Sequence, residues 1–251
     1  MYFVGIDLAW SIRNGTGVAI CQGDKNGIEF IAGDIKYSNQ DIIDYICEFI
    51  DDNDCIISID APLVVPNELG RRFAEAEIGR LFRKYNAGAY PSNRKIFNSW
   101  YGGIRGEEIS KDLERQRFVH SPNIKQFEQG RIFFEVYPHP SMVVLFNLNT
   151  ILKYKPKQKR SYIFRYQEFE KYINHLRNLS NSDTKLVLPD YILNQNLSEL
   201  KGKKLKSFED KLDGIFCAYI AYYYWKNPDK CRVFGDITKG YIVTPIFDSM
   251  E

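Results

Sequence analysis

Histidine, paired cysteine and long apolar runs are all scarce in this chain of 251 residues, and each shortage narrows what it can do. The three histidines, His120, His139 and His175, fall in no metal-ligand spacing and read as surface or packing residues. The five cysteines, Cys21, Cys47, Cys55, Cys217 and Cys231, are scattered, most of them within apolar segments, with no Cys-x-x-Cys pair. They read as buried free thiols in a reducing compartment. No basic stretch followed by a long apolar run opens the chain, which argues against a signal peptide. No apolar stretch approaches the roughly 20 residues that span a bilayer. The expectation is therefore a cytoplasmic protein without a membrane partner. Charge of one sign is also missing: 34 basic against 32 acidic residues leave +2, which neither demands nor excludes a nucleic-acid partner. Internal repeats and low-complexity linkers are absent.

What is present is core material. Hydrophobic residues make up 44% of the chain and aromatics 15%, with 17 Tyr and 17 Phe. One α/β domain over 1–251, with an insertion at approximately 66–130, is the economical reading.

Two acids stand out, Asp7 and Asp60. Each closes a short apolar run, Tyr-Phe-Val-Gly-Ile-Asp7 and Cys-Ile-Ile-Ser-Ile-Asp60. A carboxylate is costly in a buried strand unless its charge is compensated. The carboxyl end of a strand is where α/β sheets bind ligands, and two such acids on neighbouring parallel strands would converge. Read one at a time, Asp7 is also a turn residue opening the polar Ser11–Gly17 loop, and Asp60 an Asp-Ala-Pro turn initiator.

Residues 2–7, Val18–Gln22 and Ile28–Ile35 predict three strands, the last two joined through Asn26-Gly27, a hairpin signal. They form an antiparallel meander. Asp41–Ile50 has the apolar spacing of an amphipathic helix and crosses to a fourth strand, Cys55–Asp60, parallel to a sheet neighbour. A fifth strand, Arg131–Tyr137, follows the insertion. The expected fold is thus a mixed five-stranded central sheet flanked by helices, with strands four and five parallel to strand one. Within the insertion Arg71–Tyr85 is helical by pattern, whereas Asn86–Gly106 has no clear period and reads as a functional loop or lid. Helices resume near Ser141–Phe146, Tyr162–Leu179 and Ser207–Trp225. Two short strands, Arg232–Phe234 and Tyr241–Thr244, end the chain.

The last long helix carries an apolar face (Leu212, Ile215, Phe216, Tyr219, Ile220, Tyr223) beside a stripe of small residues (Gly214, Cys217, Ala218, Ala221) that permits close approach to a sheet. Asp210 and Asp213 share one face at i and i+3. Ser207-Phe-Glu-Asp210 also fits a capping pattern, which would make Asp210 a first-turn acid and leave Asp213 unexplained. Glu135 interrupts Arg-Ile-Phe-Phe-Glu-Val-Tyr on the face of Phe133 and Tyr137. It reads either as a fourth chemical carboxylate or as a strand-edge acid paired with an arginine of the insertion. Strand-end acids together with helix acids are the hard-oxygen set that Mg²⁺ or Mn²⁺ takes in phosphoryl-transfer sites.

Gly5-Ile-Asp7-Leu-Ala-Trp10, Ser58-Ile-Asp60-Ala-Pro-Leu63, Phe134-Glu-Val-Tyr-Pro-His-Pro-Ser141, Asp213-Gly-Ile-Phe-Cys-Ala218 and Gly235-Asp-x3-Gly240-Tyr-Ile-Val-Thr-Pro245 occur in this order. Together they resemble the family catalogued as domain of unknown function 429, described as predicted nucleases of RNase H-like fold. Arg71-Arg72-x-x-Glu75 with Arg80, and Ala89-Tyr-Pro-Ser-Asn93 leading into Arg94, add matches inside the insertion. Departures are Asp213-Gly214 in place of Asp-Ala, and Phe73-Ala74-Glu75 in place of Pro-Cys-Asp. The resemblance implies an RNase H-like fold with Asp7, Asp60, Glu135 and Asp213 as catalytic residues. By similarity to Holliday-junction resolvases of the wider superfamily, Asp7, Asp60, Asp210 and Asp213 would hold Mg²⁺ or Mn²⁺. Arg71, Arg72, Arg80 and Arg94 would then face the substrate, DNA or RNA.

Basic clusters at Arg71–Lys84, Lys153–Arg160 and Lys201–Lys206 suit a phosphate backbone, and equally suit solvated faces balanced by the acids. The leading expectation is a metal-dependent nuclease. The alternatives are a phosphotransferase of the sugar kinase and actin-like superfold, with Asp7 and Gly15-Thr-Gly17 on a nucleotide, and a catalytically inert nucleic-acid-binding domain.

Overall fold

The computed structural model describes residues 1–250. β1 (Tyr2–Asp7), β2 (Thr16–Asp24) and β3 (Gly27–Lys36) pair antiparallel in sequence, the meander expected from the alternation and the Asn26-Gly27 turn. α1 (Asn39–Ile50) opens with a capping box: Ser38 Oγ accepts from the Asp41 N–H, and the Asp41 carboxylate accepts from the Ser38 N–H. It buries Ile42, Ile43, Ile46 and Ile50 and delivers the chain to β4 (Cys55–Ile59), parallel to β1.

The central sheet has seven strands rather than five. Beyond the expected set, β5 (Val119–His120) and β7 (Leu186–Val187) add two-residue edges, in the order β5-β6-β4-β1-β2-β3-β7, where β6 is Arg131–Glu135. β4 and β6 run parallel to β1 through β4, and both new edge strands also pair parallel to their neighbours. β6 stops two residues short of Tyr137 because α5 (Pro138–Leu145) starts at once, with Pro138 in its first turn where a missing N–H costs nothing.

The insertion is more ordered than its composition suggests. It holds α2 (Phe73–Phe82), α3 (Arg94–Tyr101) and α4 (Arg105–Arg115). α3 lies inside the stretch expected to be a loop. Asn93 caps it by accepting from the Ile96 N–H at 3.0 Å, and Gly102 ends it in the left-handed conformation (φ 79°). Downstream come α6 (Tyr162–Asn178), α7 (Asp190–Leu193) and α8 (Gly202–Lys226), then a separate hairpin of β8 (Cys231–Asp236) and β9 (Gly240–Pro245). Among the described residues no helix is long and apolar enough to cross a membrane.

Strand alternation sorts the core into two layers. Phe3, Ile56, Ile132 and Phe134 join α5, α6 and α8 on one side of the sheet. Val4, Ile6, Ile57, Ile59 and Phe133 join α1 and α4 on the other. α8 reaches the sheet backbone itself: a Cβ on Gly5 would lie 2.0 Å from the Gly214 carbonyl oxygen, and one on Gly17 only 1.8 Å from that of Asp210. The small-residue stripe of α8 is thus matched by glycines on β1 and β2.

Candidate active site

Alternation sets which way the strand-end acids point. Phe3 packs on the α8 side, so Asp7, four residues on, faces the same way; Asp60 stands in the same relation to Ile56. The two strand ends are directly side by side, since Ile6 pairs with Ile59 and the Asp60 N–H donates to the Ile6 carbonyl at 2.8 Å. Ser58 Oγ, on that face, donates to the Cys217 carbonyl at 2.6 Å and ties β4 to α8.

α8 begins five residues before the expected Ser207. Its cap is Lys201, whose side chain makes no capping bond, so Asp210 is no first-turn acid. It sits on the third turn beside Asp213, both buried, and the glycine contacts bring that turn against β1 and β2. The capping explanation of Asp210 is therefore removed.

The four aspartates share their space with two lysines. Lys155 Nζ stands 2.9 Å from Asp213 Oδ2, and its charge is felt by Asp7 and Asp60 as well. Tyr154 OH donates to Asp213 Oδ1 at 2.6 Å. Lys206 Nζ lies 2.6 Å from Asp210 Oδ1 and 2.7 Å from Glu209 Oε1, while Arg165 approaches Glu209 Oε2 at 3.2 Å. Lys155 is held locally. Leu152 and Tyr154 are buried, the chain bends at Lys155 just before Pro156, and Arg160 donates to the carbonyls of Lys153 and Lys155 at 3.2 and 2.8 Å.

The electrostatics show incomplete compensation. Burial pushes Asp7 above the ordinary carboxylate value and Asp213 adds to this, against the pull of Lys155 and Lys206. Burial, with Asp7 next, raises Asp60 well above its usual range. Asp210 is pushed up to about 7, by burial and then by Asp7, with Lys206 opposing. Burial works against the Lys155 ammonium, yet Asp213, Asp7 and Asp60 together hold its proton well above the ordinary lysine range. Five buried or half-buried acids (Asp7, Asp60, Glu209, Asp210, Asp213) meet three cations (Lys155, Lys206, Arg165). Perturbed carboxyls gathered at one end of a sheet mark a candidate functional site.

Among the described residues no group of three or more His, Cys, Asp or Glu side chains is arranged to hold a metal ion as it stands. Donor chemistry nonetheless fits a hard divalent cation: all the candidates are carboxylates, and at Asp7, Asp60 and Asp210 burial and like charge outweigh the nearby cations. The geometry is closed around an ammonium group where such an ion would otherwise balance the charge.

Glu135 is placed differently. It follows Phe134 on β6 and so belongs to the Phe133 side of the sheet, sharing with Asp60 a small cleft of about 70 Å³. Both its oxygens take a two-pronged bond from Arg72 of the insertion, at 2.6 and 2.9 Å, and Oε2 also accepts from the Leu63 N–H at 2.9 Å. Arg72 further bonds Glu75 at 2.9 Å. Arg80 pairs with Glu77 at 2.9 Å and Arg94 with Glu107 at 3.0 Å, while Arg71 is exposed. Aspartates 7, 60, 210 and 213 are brought together; Glu135 reaches the group through its charge on Asp60, and the four arginines pair elsewhere or lie exposed.

Residue-by-residue reading missed Lys155 and Tyr154, whose only signal was membership of the basic run Lys153–Arg160. It read all three histidines as packing or surface groups. His120 and His175 do stack, on Phe133 and Phe146. His139 lies in the field of Lys155 and Asp213 with its Nδ1 buried and unpartnered; burial, and then Lys155, lower it to about 4, so its ring is neutral.

A sheet end that gathers acids from two strands and a helix defines a class of α/β protein with a carboxylate cluster at its strand ends. A family model described as "Protein of unknown function (DUF429)" matches residues 5–239, and the chain belongs to that family. Comparison with curated proteins and with solved structures finds no match.

Proposed function

We propose that this chain is a metal-dependent phosphodiesterase of nucleic acid on an RNase H-like fold. The observation that carries the reading is the meeting of Asp7, Asp60, Asp210 and Asp213, from segments far apart in sequence, close enough to repel one another where burial also raises Asp7, Asp60 and Asp210. The arrangement β3-β2-β1-β4-β6, with three antiparallel strands and two parallel to the first, supports the fold assignment. Asp7, Asp60 and Asp213 would hold Mg²⁺ or Mn²⁺, with Asp210 beside them. Bound there, such an ion would supply an activated water and charge for the phosphoryl oxygens.

The chain's own groups do the rest. Lys155 and Lys206, which pair with Asp213 and Asp210, are the ammonium groups beside the acids and would meet a bound phosphate. Asp210, pushed up to about 7 in the metal-free protein by burial and Asp7, would lose its proton more readily with a divalent cation beside it. The test is a Mn²⁺- and Mg²⁺-dependent cleavage screen over single-stranded, duplex and branched DNA and RNA, with Asp7→Asn as control. Cleavage lost in Asp7→Asn is the expected result. Equal activity in the variant sinks the mechanism. No cleavage by the unaltered protein, with no Asp7-dependent metal binding by calorimetry, makes the cluster an ion-paired structural element of an inert domain.

A further inference from the structure

A cleft of about 440 Å³ has Asp7 and Asp210 in its wall, and the rest of its charged lining is basic. Lys155, Lys206, Lys203 and Arg13 line it together with the ring of Tyr37. Lys155 and Lys206 are engaged by the aspartates. Arg13 and Lys203 are exposed and, among the described residues, their charged groups have no ion pair. Tyr37 is 54% exposed, while its backbone is fixed by Arg105, which donates to the Tyr37 carbonyl at 2.7 Å. The ring is thus presented to solvent from a rigid base.

Arg13 also lines a second cleft of about 520 Å³, with Trp10, Trp100 and Tyr101. Trp10 is wedged against Phe97 and Tyr101, with ring centroids 5.0 and 5.5 Å apart, but Trp100 is 74% exposed. Trp10 in turn borders the small cleft of Asp60, where Tyr90 is 78% exposed. Arg13 joins the first cleft to the second and Trp10 joins the second to the third, so the three follow one another as a rim around the strand-end acids. Along them lie two cations without an ion pair among the described residues, Arg13 and Lys203, and three exposed aromatic rings, Tyr37, Trp100 and Tyr90.

We propose that this rim is a binding track for single-stranded nucleic acid, and so that the substrate is unpaired rather than duplex. The inference rests on the phosphodiesterase reading for its link to cleavage, but not for binding. The chemistry is complementary at each position. Arg13 and Lys203 meet backbone phosphates. Tyr37, Trp100 and Tyr90 offer flat faces to bases, and every base has a π-face, so the track tolerates sequence. In a double helix those faces are covered by neighbouring pairs, and exposed rings at a protein surface have nothing to stack on.

The experiment is fluorescence anisotropy with a 5′-labelled oligothymidylate and with a duplex of equal length, both in EDTA so that nothing is cleaved. The single strand should bind at least tenfold more tightly. Tyr37→Ala and Trp100→Ala should each weaken it by about 5- to 100-fold, the usual range for one stacked base. Arg13→Ala with Lys203→Ala should reduce the salt dependence by roughly 1.4 in log–log slope, 0.7 for each phosphate contact on a single strand. All four side chains are exposed, and thermal melts check that the fold is unchanged. Equal affinity for duplex, or variants that bind as well as the unaltered protein, overturns the proposal. Mn²⁺-dependent cleavage of duplex with the single strand unbound refutes the track and leaves the phosphodiesterase standing. Binding through these residues with no cleavage of any substrate upholds the track and overturns the phosphodiesterase.

Discussion

Replacing Arg72 by Met separates architecture from chemistry at the edge of the candidate site. Arg72, Glu135 and Glu75 are buried to within 1%, 3% and 1% of full side-chain occlusion. Arg72 bridges both acids: it bonds both oxygens of Glu135, Oε1 of Glu75, and the Val64 carbonyl at 3.0 Å. Without it the carboxylates keep only backbone donors, Leu63 for Glu135 and the N–H groups of residues 72 and 92 for Glu75. Removing one partner of a buried ion pair costs about 3–5 kcal/mol, because a charge is left stranded. In a chain of this length that should lower the melting temperature by roughly 6–20 °C. Urea titrations followed by far-UV circular dichroism give the free energy directly. Adding Glu135→Gln to Arg72→Met should recover part of the loss, since the stranded charge is then gone, and the double-mutant cycle measures how much. An Arg72→Met protein within about 1 kcal/mol of the unaltered one refutes the argument, as that is the range of ordinary surface substitutions. Loss of oligonucleotide binding at unchanged stability would move Arg72 to the substrate.

Lys155→Met removes the cation that competes for the aspartates. Two unit charges about 4 Å apart at an effective dielectric near 20 interact by about 4 kcal/mol, and partial exposure leaves a fraction of that. Mn²⁺ affinity by calorimetry should therefore rise about tenfold or more, a step of ~1.4 kcal/mol; weaker binding would make Lys155 a helper rather than a competitor. Asp210 carries a folded-state value near 7 against an ordinary 3.8, so the folded protein holds the extra proton and stability falls as pH rises from about 4 to 7. The loss is on the order of 4 kcal/mol when complete. Urea titrations in EDTA should show that slope, and Asp210→Asn should flatten it; a slope of opposite sign refutes the assignment. Gly17→Ala drives a methyl into the Asp210 carbonyl, where a backbone atom 1.8 Å away cannot step aside. A cost of about 3 kcal/mol or more is expected from melts, the upper end for overpacking, and unaltered stability in the Gly17→Ala variant would contradict it.

The parts of the site that were legible in the sequence are those fixed by local rules. Asp7 and Asp60 were readable because period-two alternation and an apolar run mark both the strand and its end. Asp213 was readable from helical spacing. The start of α8 was not, because Gly202-Lys-Lys-Leu-Lys offers neither a capping side chain nor an apolar stripe, and Ser207-Phe-Glu mimics a cap. β5 and β7 have two residues each, too few for alternation to register. The pairing of Glu135 with an arginine of the insertion was one of two readings left open, and only tertiary placement identified the partner as Arg72. Lys155 illustrates the limit. It lies in a run of lysines with no period, and what distinguishes it from Lys157 or Lys159 is that Leu152 and Tyr154, just before it, are anchored in the core.

The bond from Ser58 to Cys217 joins residues 159 positions apart, and a similar span separates Asp60 from its helix partners. During synthesis β1 and β4 are complete long before α8 exists. At about 5–20 residues per second, roughly 8–30 s pass between the emergence of Asp60 and that of Asp213. Throughout that interval Asp7 and Asp60 end strands whose future helix-facing side, with Gly5 and Gly17 bare, lies open to water. The carboxylate cluster thus cannot assemble before α8 has emerged, and any chemistry it performs is withheld until then.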